Sequence, residues 1–294
     1  MVARVATRLK DYGTLMKPRI TFLALVTTFT GAWLAVGGIP EPTLLLFMLL
    51  GTAFGASSAS TLNNYVDRDL DRVMDRTKNR SLPSGRVDPK TALGLGVALG
   101  VTGVVLLALT VNLLSAAVLA FTILFYILVY TLWLKRTSPL STEIGGVAGS
   151  LPPVLGWVAI EGSFGPEALA LFAIMFVWQP PHFWALAIYY LDDYERAGLP
   201  RFPVVRSMEE TKWRIMLYTA LLIPLSLSPY FLRIVNVAYL TGASILGLIY
   251  LAVTVSFVRN SINRASAIRL FSASNLYLLA LFVLMLFTAN TGPS

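Results

Sequence analysis

Asn63, Asp67 and Asp71 stand four residues apart. On a helix that spacing puts all three on one face, with Asp75 at its edge and Asp69 pointing elsewhere. Like charges one turn apart repel each other and weaken a helix. A hard divalent cation offsets that repulsion, and Mg²⁺ favours carboxylates together with water and substrate phosphates. The competing reading is a solvated helix in which Arg68, Arg72 and Arg76 each follow an Asp by one position. The amide of Asn63, on the apolar side of the cluster, argues for the metal, because a polar group there is costly unless it has a role. Downstream, Lys78, Arg80 and Arg86 carry the charge to hold a diphosphate, and guanidinium suits bidentate phosphate contact. A general excess of basic residues on one membrane side would also place them there.

A second acidic cluster, Asp192, Asp193 and Glu195, follows another apolar stretch. It offers the other half of a metal site, with Asp193 the first candidate ligand and Asp192 the next. His182 is the only histidine. If the helix continues, it lies about 15 Å deeper than Asp192. Its neighbours Trp178, Phe183 and Trp184 suit a large flat ligand or a carbocation, since aromatic faces attract cations. Ordinary packing is the alternative for each of them, and a hydrogen-bonded interior role is the alternative for His182.

These clusters need a scaffold, and composition says which. Only 13% of the 294 residues are charged, against about 25% in soluble domains, and the mean hydropathy is +0.71. The chain reads as an all-α, polytopic membrane bundle, one integral-membrane domain over residues 1–294. Nine spans are expected, at 20–36, 43–62, 91–111, 114–134, 145–160, 167–189, 213–231, 237–257 and 267–289. With the N-terminus inside, every Lys and Arg except Arg233 falls on the inner side, while Glu41, Glu161 and Glu167 fall outside. That separation supports nine helices, N-terminus inside and C-terminus outside. It also puts a cytoplasmic segment at 1–19 and the loops at 64–90 and 190–212 on one face of a cell membrane. The basic N-terminus runs into a full-length span without a small-residue cleavage pattern, so no cleaved signal is expected. Absent cysteine excludes disulfides and thiolate metal sites. The net charge of +8 follows from membrane orientation and does not call for nucleic acid.

Asn63-x₃-Asp67-x₃-Asp71 resembles the first signature of the UbiA superfamily of intramembrane prenyltransferases. Within that superfamily the chain is similar to the heme O synthase branch, through residues 17–20, 64–71 and 82–85. Further similar segments are Tyr130-Thr131 with Lys135-Arg136-Thr137, Pro152-Pro153 with Gly156-Trp157, Trp178-Gln179 with Pro181-His182-Phe183-Trp184, and Asp193-Tyr194 with Ala197-Gly198. The likeness covers roughly residues 12–210. Three departures stand out: Ser81 where the family usually has Pro, Ser141-Thr142-Glu143 where it typically has an Asn, and Arg196 in place of a second Asp four after Asp192.

The resemblance implies a farnesyl group moved from farnesyl diphosphate to the C2-vinyl group of heme b, giving heme O and diphosphate. Heme is a substrate here, not a resident cofactor, and Mg²⁺ on Asp67, Asp71 and Asp193 is the cofactor implied. Asn63 would position the metal shell. His182 would contact the heme iron or a propionate, or handle a proton. Lys135 and Arg136 would bind diphosphate or propionates. Trp157, Trp178, Trp184, Asp192 and Tyr194 would belong to the substrate-binding set. Surrounding lipid, and a heme A synthase or terminal oxidase as recipient, are the partners implied. Two rivals compete: a prenyltransferase of the same fold acting on a quinone precursor, a chlorophyllide or a lipid glycerol, and a transporter. The transporter fits less well, because no acid falls at the middle of any span.

Overall fold

Proline and short polar side chains start the helices. Pro18, Pro42, Pro89 and Pro166 each occupy a first turn, where a fixed φ fits and the missing N–H would have been unpaired anyway. The Glu41 carboxylate accepts from the N–H groups of Thr43 and Leu44 at 2.9 and 2.6 Å. Asp88 accepts from Thr91, and Asn263 and Ser266 form a capping box.

The computed structural model describes residues 10–260 and 262–290. Among the described residues nine helices are long and apolar enough to cross a membrane. They are α1 Pro18–Val36, α2 Pro42–Val73, α3 Pro89–Thr110, α4 Leu113–Thr137, α5 Ser141–Glu161, α6 Pro166–Tyr189, α7 Met208–Phe231, α8 Val237–Arg259 and α9 Arg264–Thr288. The protein is a multi-pass integral membrane protein with an all-α fold. Each expected span has its helix. The main difference is α2, which continues to Val73, about three turns past the expected end at 62. The narrow break between α3 and α4 falls at Asn112, whose Oδ1 accepts from Ser115 N–H at 2.7 Å and whose Nδ2 donates to the Val158 carbonyl at 3.0 Å.

Helices α5 and α6 form the centre: 67% of the apolar stretch of each is buried, against 39% or less elsewhere. Large apolar side chains such as Phe22, Leu109, Phe231 and Phe287 point outward, where lipid tails take the place of a soluble protein's water. Close approach between α1 and α5 depends on glycine. A Cβ at Gly31 would lie 2.0 Å from the Pro153 carbonyl oxygen, and one at Gly156 would lie 1.9 Å from that of Thr28. Small residues at such crossings let backbones meet, the main source of attraction between helices in lipid. Between α5 and α6, Gln179 Nε2 donates to Gly146 O and Ser150 Oγ, both at 2.8 Å.

The sequence pattern suggested an ordinary helix for α4. Instead its second half, Phe125–Leu134, is π-helical. Its i→i+5 pattern lines up residues five apart, so Tyr126 and Tyr130 (stacked at 5.3 Å), Thr131 and Lys135 come to one side. Wide turns of this kind recur at functional sites.

Candidate active site

The end of the bundle that carries the basic loops holds a buried polar cluster built on α2. Asn63, Asp67 and Asp71 share one face, as the spacing predicts, and all three are buried, Asp67 to 2% exposure. Asn63 Nδ2 donates to Asp67 Oδ2 at 2.7 Å and lies 3.3 Å from Thr131 Oγ1. Lys135 pairs with the same Asp67 oxygen. Arg80 Nη1 pairs with Asp71 Oδ2 at 2.9 Å, and Thr77 Oγ1 donates to the Asp71 carbonyl at 3.0 Å. Lys17 closes the ring by donating to Asn63 Oδ1 at 2.8 Å. Burial and the nearby cations Arg80 and Lys135 push the Lys17 ammonium down to about 7. An anion arriving beside it would favour its charged form.

Asp193 is buried but serves the chain that follows α2. One of its oxygens accepts from Asp75 N–H and the other from Arg76 N–H, both at 3.2 Å. Arg196 pairs with Asp193 and reaches Asp75 at 2.6 Å. The short helix Leu191–Arg196 is thereby tied to the turn after α2, next to a cleft of about 380 Å³ bordered by Tyr190 and Arg264. Asp193→Ala strands two backbone donors, a loss of about 1–3 kcal/mol. Deuterium exchange at residues 75–78 should rise in that variant, and unchanged exchange would show that the turn does not depend on Asp193.

The remaining expected residues divide. Arg80 and Lys135 join the polar cluster, and Tyr194 is buried with the Arg201 guanidinium 5.4 Å from its ring centroid. Arg136 donates to the Val66 carbonyl at 2.9 Å, Arg86 to Asp11 at 2.9 Å, and Lys78 to Asp75 at 2.7 Å. Asp192 is exposed and pairs with Arg264 at 2.6 Å. His182 lies between α6 and α9: its ring stacks on Trp178 and Phe271 at 4.4 and 4.5 Å, and Nδ1 bonds Ser274 Oγ at 2.8 Å. It sits about 10 Å below the cluster's end of α6. Trp178 donates to the Ser274 carbonyl at 2.8 Å, and Trp184 packs on Phe202 and Tyr218. Trp157 is buried near the opposite end of α5, about 24 Å along the axis from Ser141.

Lys17, Thr131 and Arg201 belong to this neighbourhood without having been singled out as site residues. Lys17 had a signal: a cation directly before a helix opposes the dipole, so some other contact must hold it. Arg201 had one too, as a lone charge within Leu199-Pro200-Arg201-Phe202-Pro203.

The donor set fits a hard cation. Asp67 Oδ1 is buried and receives no hydrogen bond from any described residue, so it is an acceptor left over. Among the described residues no three acidic or histidine side chains converge as a complete metal cage. That suits Mg²⁺, which takes one or two carboxylates and completes its shell with water and phosphate oxygens.

The UbiA prenyltransferase family matches residues 24–289. A relative from Aquifex aeolicus named protoheme IX farnesyltransferase is 44% identical over 278 residues, 95% of this chain and 94% of the relative. Another of that name, from Azorhizobium caulinodans, is 44% identical over 280 residues, 94% and 91% of the two chains. A solved digeranylgeranylglyceryl phosphate synthase superposes with a TM-score of 0.81 over 96% of this chain and 98% of its own, at 18% identity. A UbiA homolog from Archaeoglobus fulgidus, solved with GPP and Mg²⁺, gives 0.62 over 94% and 99% at 17% identity. At such identities these structures speak to the fold alone. The sequence matches go further, and with a buried Asn63–Asp67–Asp71 face at their centre they make this chain a member of the UbiA prenyltransferase family.

Proposed function

We propose that the protein is a protoheme IX farnesyltransferase, transferring farnesyl from farnesyl diphosphate to the C2-vinyl group of heme b. Identity of 44% across nearly the whole length of two relatives bearing that name carries the choice of substrates. The polar cluster supports the reaction class. Asp67 and Asp71 would hold Mg²⁺, which when bound supplies neutralising charge for a departing diphosphate. Lys17, Arg80 and Lys135 are flexible cations already gathered at those carboxylates, and each can turn to a phosphate oxygen. The Archaeoglobus fulgidus homolog, which shares the fold, was itself solved with GPP and Mg²⁺.

On α2 the face of Asn63 continues as Ala59, Ala56 and Thr52, which line an apolar cavity of about 50 Å³. A prenyl chain would run along this face, away from water. The C–O bond of the donor breaks, its electron pair leaves with diphosphate, and an allylic cation remains. Stacked Tyr126 and Tyr130 offer that cation aromatic faces. The vinyl π electrons form the new C–C bond. Water captures the second cation and loses a proton, leaving a hydroxyethylfarnesyl chain. By the bias of Lys and Arg, the end that carries the cluster would face the cytoplasm.

Purified protein in detergent, supplied with heme b, farnesyl diphosphate and Mg²⁺, should yield a heme heavier by one farnesyl group and one hydroxyl, read by chromatography and mass spectrometry. EDTA should abolish it. A folded protein that makes no such heme, yet prenylates another aromatic acceptor, would overturn the heme assignment and keep the class.

A further inference from the structure

We infer that Arg201 is an anion-receiving residue of this active site, taking a phosphate or carboxylate oxygen of a bound substrate. The inference rests on the prenyltransferase reading, which supplies anions of both kinds: the donor's diphosphate and the acceptor's propionates.

Arg201 is 7% exposed. Its Nη1 donates to Ser141 Oγ at 3.0 Å and its Nη2 to Tyr130 Oη at 3.1 Å. The guanidinium lies over the rings of Tyr130 and Tyr194, 5.8 and 5.4 Å from their centroids. Nε is buried and donates to nothing among the described residues. Both side-chain partners are neutral hydroxyls. The other cations of the cluster differ, since Lys135 and Arg80 have carboxylates and Lys17 has the Asn63 carbonyl. Arg201 is thus a buried, permanently charged group with no carboxylate on it. A buried charge left unpaired is strongly unfavourable, so a site that keeps one is arranged for an anion that arrives later.

Position agrees. Tyr130, which holds Nη2, shares the π-helical stretch of α4 with Thr131, beside Asn63, and Lys135 on Asp67 follows directly after it. The backbone is fixed: the Arg201 carbonyl accepts from Val204 and Val205 at 2.8 and 3.1 Å, and prolines stand on either side at 200 and 203. Ser141, whose hydroxyl takes Nη1, opens α5, so the contact ties the guanidinium to a helix end. A planar fork fixed at two points, with a further donor spare, has the geometry that recognises phosphate or carboxylate.

The test uses Arg201→Met and Arg201→Lys in the full-length protein, with thermal stabilisation by inorganic diphosphate and the KM values for farnesyl diphosphate and heme b. Loss of one charged hydrogen bond should weaken binding about tenfold or more in Arg201→Met, with kcat changed less and partial recovery in Arg201→Lys. Weaker diphosphate binding with a higher donor KM identifies the phosphate as the ligand. A higher heme KM alone identifies the carboxylate. Wild-type values for all three in whichever variant folds overturn the inference. Wild-type protein that binds diphosphate but makes no prenylated heme would instead count against the proposed reaction, because the binding readout needs no turnover.

Discussion

Asp67→Asn is expected to lower turnover by about 10³-fold or more, the scale at which lost electrostatic stabilisation of a leaving group shows in rates. Asp67 stands between Asn63 and Asp71 on the buried face of α2 and is 2% exposed. Its Oδ2 takes the amide of Asn63 and the ammonium of Lys135, and its Oδ1 takes nothing among the described residues. Asn keeps the volume and one acceptor oxygen, so the Lys135 contact survives, while the anionic oxygen suited to a hard cation is gone. Asp69→Asn is the matched control. Asp69 is exposed and makes surface pairs with Arg68 and Arg72 at 3.8 and 3.3 Å, worth about 0–1 kcal/mol. Its turnover should stay near wild type. Single-turnover assays on protein that elutes as one species by size exclusion separate the two. Full activity in Asp67→Asn would remove the metal assignment.

The helices were legible because two signals agree along the chain. Apolar runs are parted by charged residues whose signs alternate between ends, and proline or a capping side chain marks the starts at 18, 42, 89 and 166. The metal face was legible for a different reason. Hydropathy ends α2 near 62, but the spacing of Asn63, Asp67 and Asp71 requires the helix to go on, and it does. What joins distant segments was not legible. Lys135 meets Asp67 and Lys17 meets Asn63 across long stretches of sequence, and no local pattern encodes such a meeting. The π-helical half of α4 has no composition of its own, yet it delivers Thr131 and Lys135 to the cluster. The backbone partners of Asp193 were not legible either. A carboxylate at a helix end suits a metal and a pair of backbone donors equally well, and only the fold shows the backbone N–H groups of Asp75 and Arg76 in front of it. His182 is similar: a lone histidine in an apolar run needs a partner, and that partner, Ser274, sits on α9, outside every segment that carried the resemblance.

Gly156→Ala is expected to cost the most stability of any single-methyl change considered for this chain, about 3 kcal/mol or more, at the upper end of overpacking losses. The added Cβ would stand 1.9 Å from Thr28 O, 2.8 Å from Thr28 C and 2.9 Å from Ala32 N. All three are backbone atoms of α1, so no rotamer change relieves the clash, and the helices must part. Parting removes the close packing that holds them together in lipid. The thermal midpoint should fall on the order of 10 °C. Gly94→Ala on α3 is the control, because a Cβ there meets nothing within 4 Å, and trading Gly for Ala inside a helix gains about 0.5–1 kcal/mol. Its midpoint should hold or rise, and equal midpoints for the two variants would refute the tight α1–α5 crossing. The crossing also reaches the site. Lys17 stands at the start of α1 and Ser141 at the start of α5, and they touch Asn63 and Arg201 respectively. A shift between these two helices therefore moves Lys17 and Ser141 relative to each other. Gly156→Ala protein that survives purification should then show weakened diphosphate binding as well as a lowered midpoint, although Gly156 lies far from either contact along the helix.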